Sequence, residues 1–368
     1  MTKILTVVGA RPQFIKAAVV SRLLRNDAYR SRFEEILVHT GQHYDDNMSE
    51  VFFREMEIPE PDVNLNIGSG SHGAMTGAML VRIEELILGR KPDLLLVYGD
   101  TNSTLAGALA ASKLQVPVAH VEAGLRSFMM GMPEEQNRIV ADRLSTWLFC
   151  PTQAAIGNLE REGIPNRNPA KPNADAKAVA MVGDVMLDAS LYYRTRAAGR
   201  AEQFLKKLPT RFYLLTIHRA ENTDDPRRLT SIVEALNDRN DSEAVFPVHP
   251  RTRKTLERLG LAFGSHVRLI EPVGYFDMLA LEEACEFVVT DSGGVQKEAY
   301  FFRKPCMTLR DSTEWVELVE TGWNRLVGAD KGAISRAFDS MEAPKLDGAL
   351  YGEGHAGEAI CDRLLADM

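Results

Sequence analysis

Short runs of apolar residues alternate along the chain with segments of helical periodicity. The runs are about four to eight residues long, and amphipathic stretches of about 10–15 residues, such as 102–114, separate them. Strands that are apolar throughout are typical of parallel sheets covered by helices on both faces. The predicted strands are 4–8, 35–39, 93–99, 116–122, 146–150, 178–183, 212–218, 244–249, 267–271, 286–291 and 305–309.

This alternation is interrupted once, which predicts two Rossmann-like doubly wound domains. The length of 368 residues agrees, because domains commonly contain roughly 100–200 residues. We place an N-terminal domain at 1–184 and a C-terminal domain at 185–354. The closing helix predicted at 355–368 is expected to pack back on the first domain. The stretch 163–177, rich in Pro, Asn, Lys and Ala, predicts an exposed loop.

Composition narrows the functional classes. The net charge of -8 provides no general basic surface, so no nucleic-acid partner is expected. Four scattered cysteines without a CxxC pair indicate neither a disulfide framework nor a metal site. The N-terminal apolar run is too short for a signal peptide or a membrane span. We therefore expect a cytoplasmic protein with no membrane partner.

Open parallel sheets bind ligands beyond the carboxyl ends of their strands, so a cleft between the two domains is the expected site. The first strand leads into Gly9, Arg11 and Lys16. No GxGxxG motif occurs there, so a dinucleotide cofactor is not indicated. Taken alone, Arg11 and Lys16 could equally be surface cations beside an ordinary turn.

Carboxylates follow three successive elements of the first half. Asp100 ends one strand, Glu122 ends the next, and Glu134 follows Pro133 at a predicted helix start. Asp100 could be a helix N-cap, and Glu134 would suit a helix N-terminus. Three acids near one sheet edge nevertheless favour acid–base chemistry, because neighbouring carboxylates separate each other's pKa values.

The second half instead has cations at its strand ends. His218 and Arg219 follow one strand, and Arg251 and Arg253 follow another. A further strand runs into a helix through Ser292, Gly293 and Gly294, and Glu298 follows within that helix. Free N–H groups at such a turn bind phosphate, and glycines let it approach closely. We therefore predict a nucleoside diphosphate there, with Glu298 accepting hydrogen bonds from the ribose.

The motifs GARPQFIK, HTGQH, YGDTNST, HVEAGLRS, PEEQNR, HRAEN and DSGGVQKEA occur in this order. In these motifs the chain resembles the non-hydrolysing UDP-N-acetylglucosamine 2-epimerases, over roughly residues 3–328 and the YGEGHA segment. The resemblance implies the glycosyltransferase-B architecture, a UDP-sugar substrate, a homodimer, and neither metal nor nicotinamide cofactor. It also implies an isomerase that supplies precursors for cell-surface polysaccharide such as lipopolysaccharide.

In that family UDP leaves by elimination across C1–C2, and returns after a proton has been added to the other face. Such a reaction converts UDP-GlcNAc to UDP-ManNAc. By resemblance, Asp100, Glu122 and Glu134 would transfer the C2 proton and stabilise charge at C1. Arg11, Lys16 and His218 also match the family's active-site set, in which Arg11 and His218 would hold the diphosphate. Its UDP-binding stretch is matched by Ser292, Gly293, Gly294 and Glu298.

Two departures from the common family pattern leave the substrate open. Trp315 stands where many members have an arginine, and the segment 126–133 is short. Both resemble the branch that acts on UDP-2,3-diacetamido-2,3-dideoxyglucuronic acid, whose carboxylate Arg251 or Arg253 could bind. Gln42 and His43 match a segment that binds activating UDP-GlcNAc in some members. A glycosyltransferase of the same architecture is a further alternative.

Overall fold

A computed structural model describes residues 1–41, 59–345 and 348–368. The chain divides into two compact units, of which the first comprises Met1–Ala189 and Ala349–Met368 and the second Ser190–Gly348. Each unit is built on one parallel β-sheet. Gln42 and His43 lie outside the described residues, so their predicted regulatory role stays a prediction.

The first unit has a seven-stranded sheet in the order β3-β2-β1-β4-β5-β6-β7, with every neighbouring pair parallel. Its central strands are buried along their full length, which explains their uninterrupted apolar sequence. The strands are Thr2–Val8 (β1), Phe33–His39 (β2), Val63–Asn64 (β3), Leu94–Tyr98 (β4), Val118–Val121 (β5), Trp147–Cys150 (β6) and Ala178–Met181 (β7).

The second unit has a six-stranded parallel sheet in the order β10-β9-β8-β11-β12-β13. The strands are Tyr213–Thr216 (β8), Ala244–Pro247 (β9), Val267–Ile270 (β10), Val288–Thr290 (β11), Cys306–Thr308 (β12) and Asn324–Leu326 (β13). All the predicted strands are present in the two sheets. The sequence did not indicate β3 and β13, which are short edge strands.

Helices follow nearly every strand and cover the sheets. They are Arg11–Leu24 (α1), His72–Arg90 (α2), Asn102–Lys113 (α3), Pro133–Leu144 (α4), Gln153–Arg161 (α5), Val185–Leu205 (α6), Ala220–Thr223 (α7), Pro226–Asn237 (α8), Pro250–Leu259 (α9), Tyr275–Ala284 (α10), Gly293–Phe301 (α11), Val316–Glu320 (α12), Lys331–Phe338 (α13) and Ala356–Asp367 (α14). In the part of the chain that the structure describes, none of them is long and apolar enough to cross a membrane.

The last helix belongs to the first unit. The Asp188 carboxylate accepts hydrogen bonds from the Ala356 and Gly357 N–H groups, at 3.1 and 2.8 Å. Trp147 at the start of β6 donates to Asp367 at 2.8 Å. These contacts attach α14 to the N-terminal sheet. The stretch 163–177 contains no helix or strand and is largely exposed, as predicted.

Candidate active site

The turn after β1 is held against the end of β4 by one buried amide. The Gln13 side-chain oxygen accepts from the Gly9 and Ala10 N–H groups, at 2.8 and 3.0 Å. The Gln13 amide nitrogen donates to the Tyr98 carbonyl at 2.6 Å. Arg11 is exposed in the first turn of α1. The turn that carries Arg11 is therefore fixed relative to the strand that precedes Asp100.

Lys16 and Glu122 form an ion pair at the C-terminal edge of the first sheet. Only 12% of the Lys16 side chain and 8% of the Glu122 side chain are exposed. A Cβ added at Gly99 would lie 3.3 Å from Glu122 Oε2 and 3.5 Å from Lys16 Nζ, so the pair lies close to the Asp100 turn. Lys16 is thus not an ordinary surface cation.

Glu122 also has an unusual backbone. Its φ is 71°, in the left-handed region that residues with a side chain rarely occupy. Such a conformation costs on the order of 1–3 kcal/mol and is concentrated at functional sites. A buried, strained glutamate at a strand end supports a role in chemistry over one in stability.

Asp100 is paired with an arginine that sequence reasoning did not single out. Arg138 on α4 donates to the Asp100 carboxylate and to the Glu135 carboxylate, the latter at 2.9 Å. Asn137 donates to the Asp100 carbonyl at 2.9 Å. The N-cap of α3 is Thr101, whose hydroxyl accepts from Thr104 N–H. The alternative that Asp100 caps the helix is therefore wrong.

The two adjacent glutamates at the start of α4 have different environments. Glu135 is buried and accepts hydrogen bonds from the Ser127 and Phe128 N–H groups, at 2.9 and 3.0 Å. Glu134 is exposed, and no hydrogen bond or ion pair joins it to another described residue. Glu134 lies one helical turn before Arg138 and so shares its face of α4. Glu135 therefore shapes the loop, while Glu134 is accessible to a ligand.

In the second unit, a buried aspartate fixes the turn after β8. The fully buried Asp291 carboxylate accepts from the His218 and Arg219 N–H groups, both at 3.0 Å, and from the Asn222 side chain at 3.1 Å. Partial desolvation lowers the pKa of His218, an effect opposed by Asp291 and reinforced by Arg219 and His249. His218 is thus favoured in its neutral form, with 44% of its side chain exposed.

The Ser292–Gly294 turn opens α11 as predicted. The Ser292 hydroxyl caps the helix by accepting from Val295 N–H at 3.5 Å. A Cβ at Gly293 would lie 2.6 Å from Glu314 Oε1 and 3.6 Å from Arg219 Nη2. Glycine is therefore required for the close approach of Glu314, and Arg219 also lies beside the start of α11.

Trp315 is a structural part of the same turn. Its indole donates to the Gly293 carbonyl at 2.9 Å, and the Lys297 ammonium lies 4.2 Å from the centre of the ring. The neighbouring Glu314 carboxylate accepts from Arg310 at 3.0 Å. At the position where many family members are expected to have an arginine, this chain therefore has an aromatic ring that supports the turn.

Glu298 on α11 is nearly buried and lies next to Glu282 on α10. Complete burial, and then the charge of Glu298, raise the pKa of Glu282 well above its ordinary value. Arg251 is exposed and Arg253 is half-buried, and both form ion pairs near the surface, Arg251 with Asp224 at 2.6 Å and Arg253 with Glu271 at 2.9 Å. Both arginine side chains are therefore accessible to solvent and are not buried against the turn around Gly293.

Residues 26–365 match the model of the family described as UDP-N-acetylglucosamine 2-epimerase. The chain is 54% identical to the UDP-2,3-diacetamido-2,3-dideoxy-D-glucuronate 2-epimerase of Pseudomonas aeruginosa, over 98% of this chain and 99% of the relative. It is 43% identical to the UDP-N-acetylglucosamine 2-epimerase of Methanocaldococcus jannaschii, with 97% of each covered.

Solved structures agree. A crystal structure of the M. jannaschii enzyme in complex with UDP-GlcNAc and UDP superposes with a TM-score of 0.87 at 42% identity, covering 99% of both chains. The Neisseria meningitidis enzyme bound to UDP-GlcNAc gives 0.86 at 31% identity, covering 99% of this chain and 100% of the other.

The chain belongs to the UDP-N-acetylglucosamine 2-epimerase family. Epimerases are isomerases, so it is an enzyme of that class. The predicted fold, two Rossmann-like parallel-sheet domains of the glycosyltransferase-B kind, is confirmed.

Proposed function

We propose that this protein inverts C2 of UDP-2,3-diacetamido-2,3-dideoxyglucuronate and retains UDP in the product. The observation that carries the proposal is the 54% identity to the P. aeruginosa enzyme named for this reaction, over nearly the full length of both. The relatives named for UDP-N-acetylglucosamine include a Methanococcus maripaludis homolog that is 49% identical and two archaeal enzymes that are 43% and 42% identical. Of the two substrates that the sequence left open, similarity therefore favours the diacetamido uronate over UDP-GlcNAc.

The second unit supplies the chemistry for a nucleoside diphosphate. At the start of α11 the Val295 N–H donates to Ser292, while helix geometry leaves the Gly293 and Gly294 N–H groups without an intrahelical partner, and Gly293 lets a phosphate approach the backbone. Arg219 lies beside the Gly293 turn, and His218 is the residue before Arg219 at the end of β8. Both side chains would therefore contact the diphosphate. Glu298 would accept hydrogen bonds from the ribose hydroxyls.

The first unit supplies the acids for epimerisation. One carboxylate removes the C2 proton, and the electron pair of the C2–H bond forms a C1–C2 double bond. At the same time the C1–O bond breaks, and its electron pair leaves with UDP. A second acid returns a proton to the opposite face of C2, and UDP adds back at C1. Glu122, Asp100 and Glu134 are the proposed acids. The cations paired with Glu122 and Asp100 hold those carboxylates in a fixed orientation.

The substrate carboxylate at C6 requires a cation, and Arg251 and Arg253 are our candidates. Among the described residues, each arginine side chain is held by one ion pair near the surface, and exposed pairs contribute only about 0–1 kcal/mol. A substrate carboxylate can therefore replace Asp224 or Glu271 at low cost. Arg251→Met and Arg253→Met should raise KM for the uronate and leave KM for UDP-GlcNAc unchanged.

The proposal extends to assembly and cellular role. Helix α2 exposes Val81 and Leu88 on a long face, which supports a homodimer through this helix. Light scattering should give twice the chain mass, and Val81→Glu should reduce it to the monomer. A UDP-sugar substrate also fits a cytoplasmic step that precedes cell-surface polysaccharide synthesis, lipopolysaccharide included.

Proton NMR in D₂O tests the activity directly. The purified protein is incubated with UDP-2,3-diacetamido-glucuronate and, separately, with UDP-GlcNAc. We expect the uronate to give the manno epimer with deuterium at C2 and UDP still attached, much faster than UDP-GlcNAc gives UDP-ManNAc. Equal rates, or faster turnover of UDP-GlcNAc, would reject the uronate assignment.

A glutamine variant separates chemistry from binding. Glu122→Gln keeps the shape of the side chain and removes its proton-accepting charge, so turnover should fall by about 10²–10⁴-fold. UDP affinity, measured by calorimetry, should stay within about threefold of wild type, because the proposed UDP site is in the second unit. Undiminished turnover would remove Glu122 from the mechanism. Transfer of the sugar to an acceptor would instead support the glycosyltransferase alternative.

A further inference from the structure

His120 is a fully buried histidine near both acid-bearing turns of the first unit. It lies on β5, two residues before Glu122. Its Nε2 lies 2.7 Å from the carbonyl oxygen of Gly99, the residue before Asp100. Its Nδ1 lies 2.7 Å from Asp142 Oδ1 on α4. The ring therefore links β5 both to the Asp100 turn and to the helix that carries Glu134.

Both ring nitrogens face hydrogen-bond acceptors. A carbonyl oxygen can only accept, so Nε2 must carry a hydrogen. An ionised Asp142 can also only accept, so Nδ1 must carry one as well. A neutral ring has a single N–H and would leave one buried lone pair facing an oxygen at 2.7 Å. The geometry thus requires either an imidazolium or a protonated Asp142.

The surroundings of Asp142 place the proton on the histidine. Asp142 Oδ2 accepts from Arg126 Nη1 at 2.7 Å and from Gly124 N–H at 3.2 Å. Desolvation alone would raise the pKa of Asp142, but the His120 hydrogen bond and the Arg126 charge hold it below its ordinary value. A carboxylate with these donors is ionised, so His120 carries both protons.

The cluster is also balanced in charge. Arg126 donates from Nε and Nη2 to the two oxygens of Glu162, at 2.7 and 2.8 Å. With His120 and Arg126 cationic and Asp142 and Glu162 anionic, the net charge of the four groups is zero. Other titratable groups lie near the cluster. Burial raises the pKa of the Cys150 thiol on β6 well above its ordinary value, so this thiol is neutral. Lys177 interacts electrostatically with Asp142, and Arg143 donates to the Glu162 carbonyl.

We propose that His120 is a positioning residue for epimerisation, an imidazolium that ties the Gly99–Asp100 turn to Asp142 and so holds Asp100 at a fixed position relative to Glu122. Asp142 completes the link, because through Gly124 and Arg126 it also holds the turn that follows Glu122. The kinetic consequence rests on the proposed function. The protonation state and the restraint of the two turns do not depend on it.

NMR of protein with ¹⁵N-labelled histidine tests the protonation state in the wild-type enzyme. The chain has eight histidines, and the His120 signals are those absent from the His120→Gln spectrum. We expect both ring nitrogens of His120 to be protonated at pH 7, each coupled to its own hydrogen. One unprotonated nitrogen at this pH would overturn the proposal.

Hydrogen exchange and kinetics test the positioning role, with His355→Gln as the control because His355 is exposed. His120→Gln can retain a donor toward Gly99 but loses the cation. We expect faster amide exchange in peptides that contain the 99–104 and 122–126 turns, in this variant alone.

The kcat of His120→Gln should be about 10–100-fold lower than that of wild type, because small misplacements of catalytic groups such as Asp100 have effects of this size. KM should change by less than about threefold. Unchanged exchange, or the wild-type kcat, would refute the role. Wild-type enzyme inactive on every UDP-sugar would reject the proposed function, and NMR and exchange would still decide the His120 proposal.

Discussion

Replacement of Asp291 by asparagine tests what fixes the turn after β8, beside the proposed phosphate site. The carboxylate is fully buried and receives three donors, the N–H groups of His218 and Arg219 and the side chain of Asn222. Asparagine keeps one acceptor oxygen and presents an NH₂ group in place of the other. At least one of the three donors must then lose its partner or face another donor.

The size of the effect follows from these contacts. A hydrogen bond to a charged group contributes about 1.5–3 kcal/mol, and an unsatisfied buried donor costs about 1–3 kcal/mol. Loss of one or two of the three bonds should therefore lower the opening free energy of this sheet by about 2–4 kcal/mol. The first unit should be unaffected, because Asp291 donates to and accepts from nothing outside the second unit among the described residues.

Native-state hydrogen exchange at increasing urea concentrations reads the two sheets separately. Peptides from β8 and β11 should lose protection in Asp291→Asn, while peptides from β1 and β4 should not. Asp224→Asn is the matched control, since Asp224 is exposed and paired only at the surface; its effect should stay below about 1 kcal/mol. A change under about 0.5 kcal/mol in Asp291→Asn would refute the reasoning.

Three further predictions concern the rest of the described chain. Gly124 has a φ of 80°, and a Cβ there would lie 2.5 Å from the Ala155 carbonyl oxygen, so Gly124→Ala should lower the free energy of unfolding by at least about 2 kcal/mol in urea titrations. The control is Gly157→Ala in α5, where a Cβ would meet open space, and it should raise the free energy of unfolding by up to about 1 kcal/mol. Equal effects of the two variants would contradict the account. Burial lowers the pKa of His39 to about 4, below the ordinary 6.5 of the unfolded chain. The free energy of unfolding of the first unit should therefore fall by about 3 kcal/mol as the pH falls from 6.5 to 4. In hydrogen-exchange measurements, His39→Gln should remove this pH dependence. The thiols of Cys150, Cys285, Cys306 and Cys361 are buried, and burial raises the pKa of each. A thiol reagent should therefore label none of them until the protein unfolds. Rapid labelling of the native protein would contradict their burial.

The fold was predictable because parallel sheets covered on both faces require long apolar strands. The central strands, such as β4 and β8, are buried throughout and therefore have sequences with no polar alternation. The strands β3 and β13 were missed for the same physical reason. They are two and three residues long, lie at sheet edges and are only partly buried, so nothing requires an apolar run there.

The placement of the candidate site residues at strand ends was also predictable, since ligand-binding groups of parallel sheets follow strand ends. Glu122, Asp100, His218 and the Ser292–Gly294 turn all follow strands. What the sequence did not indicate is the partner of each group. Asp291 begins the DSGGVQKEA motif, but its role as an acceptor for the turn after β8 follows only from the pairing of β8 with β11 in the sheet.

Partners were hidden because they come from distant parts of the chain. Lys16 and Glu122 are separated by 106 positions, and Asp100 and Arg138 by 38. From the sequence, the first unit seemed to gather carboxylates and the second to gather cations. In the structure, Glu122 and Asp100 each have a cation within hydrogen-bonding distance, while Glu134 has no such partner among the described residues. Lys16 and Arg138 fix the positions of the Glu122 and Asp100 carboxylates, and Glu134 has no such restraint from the described residues. The three acids therefore differ in environment although they look alike in sequence.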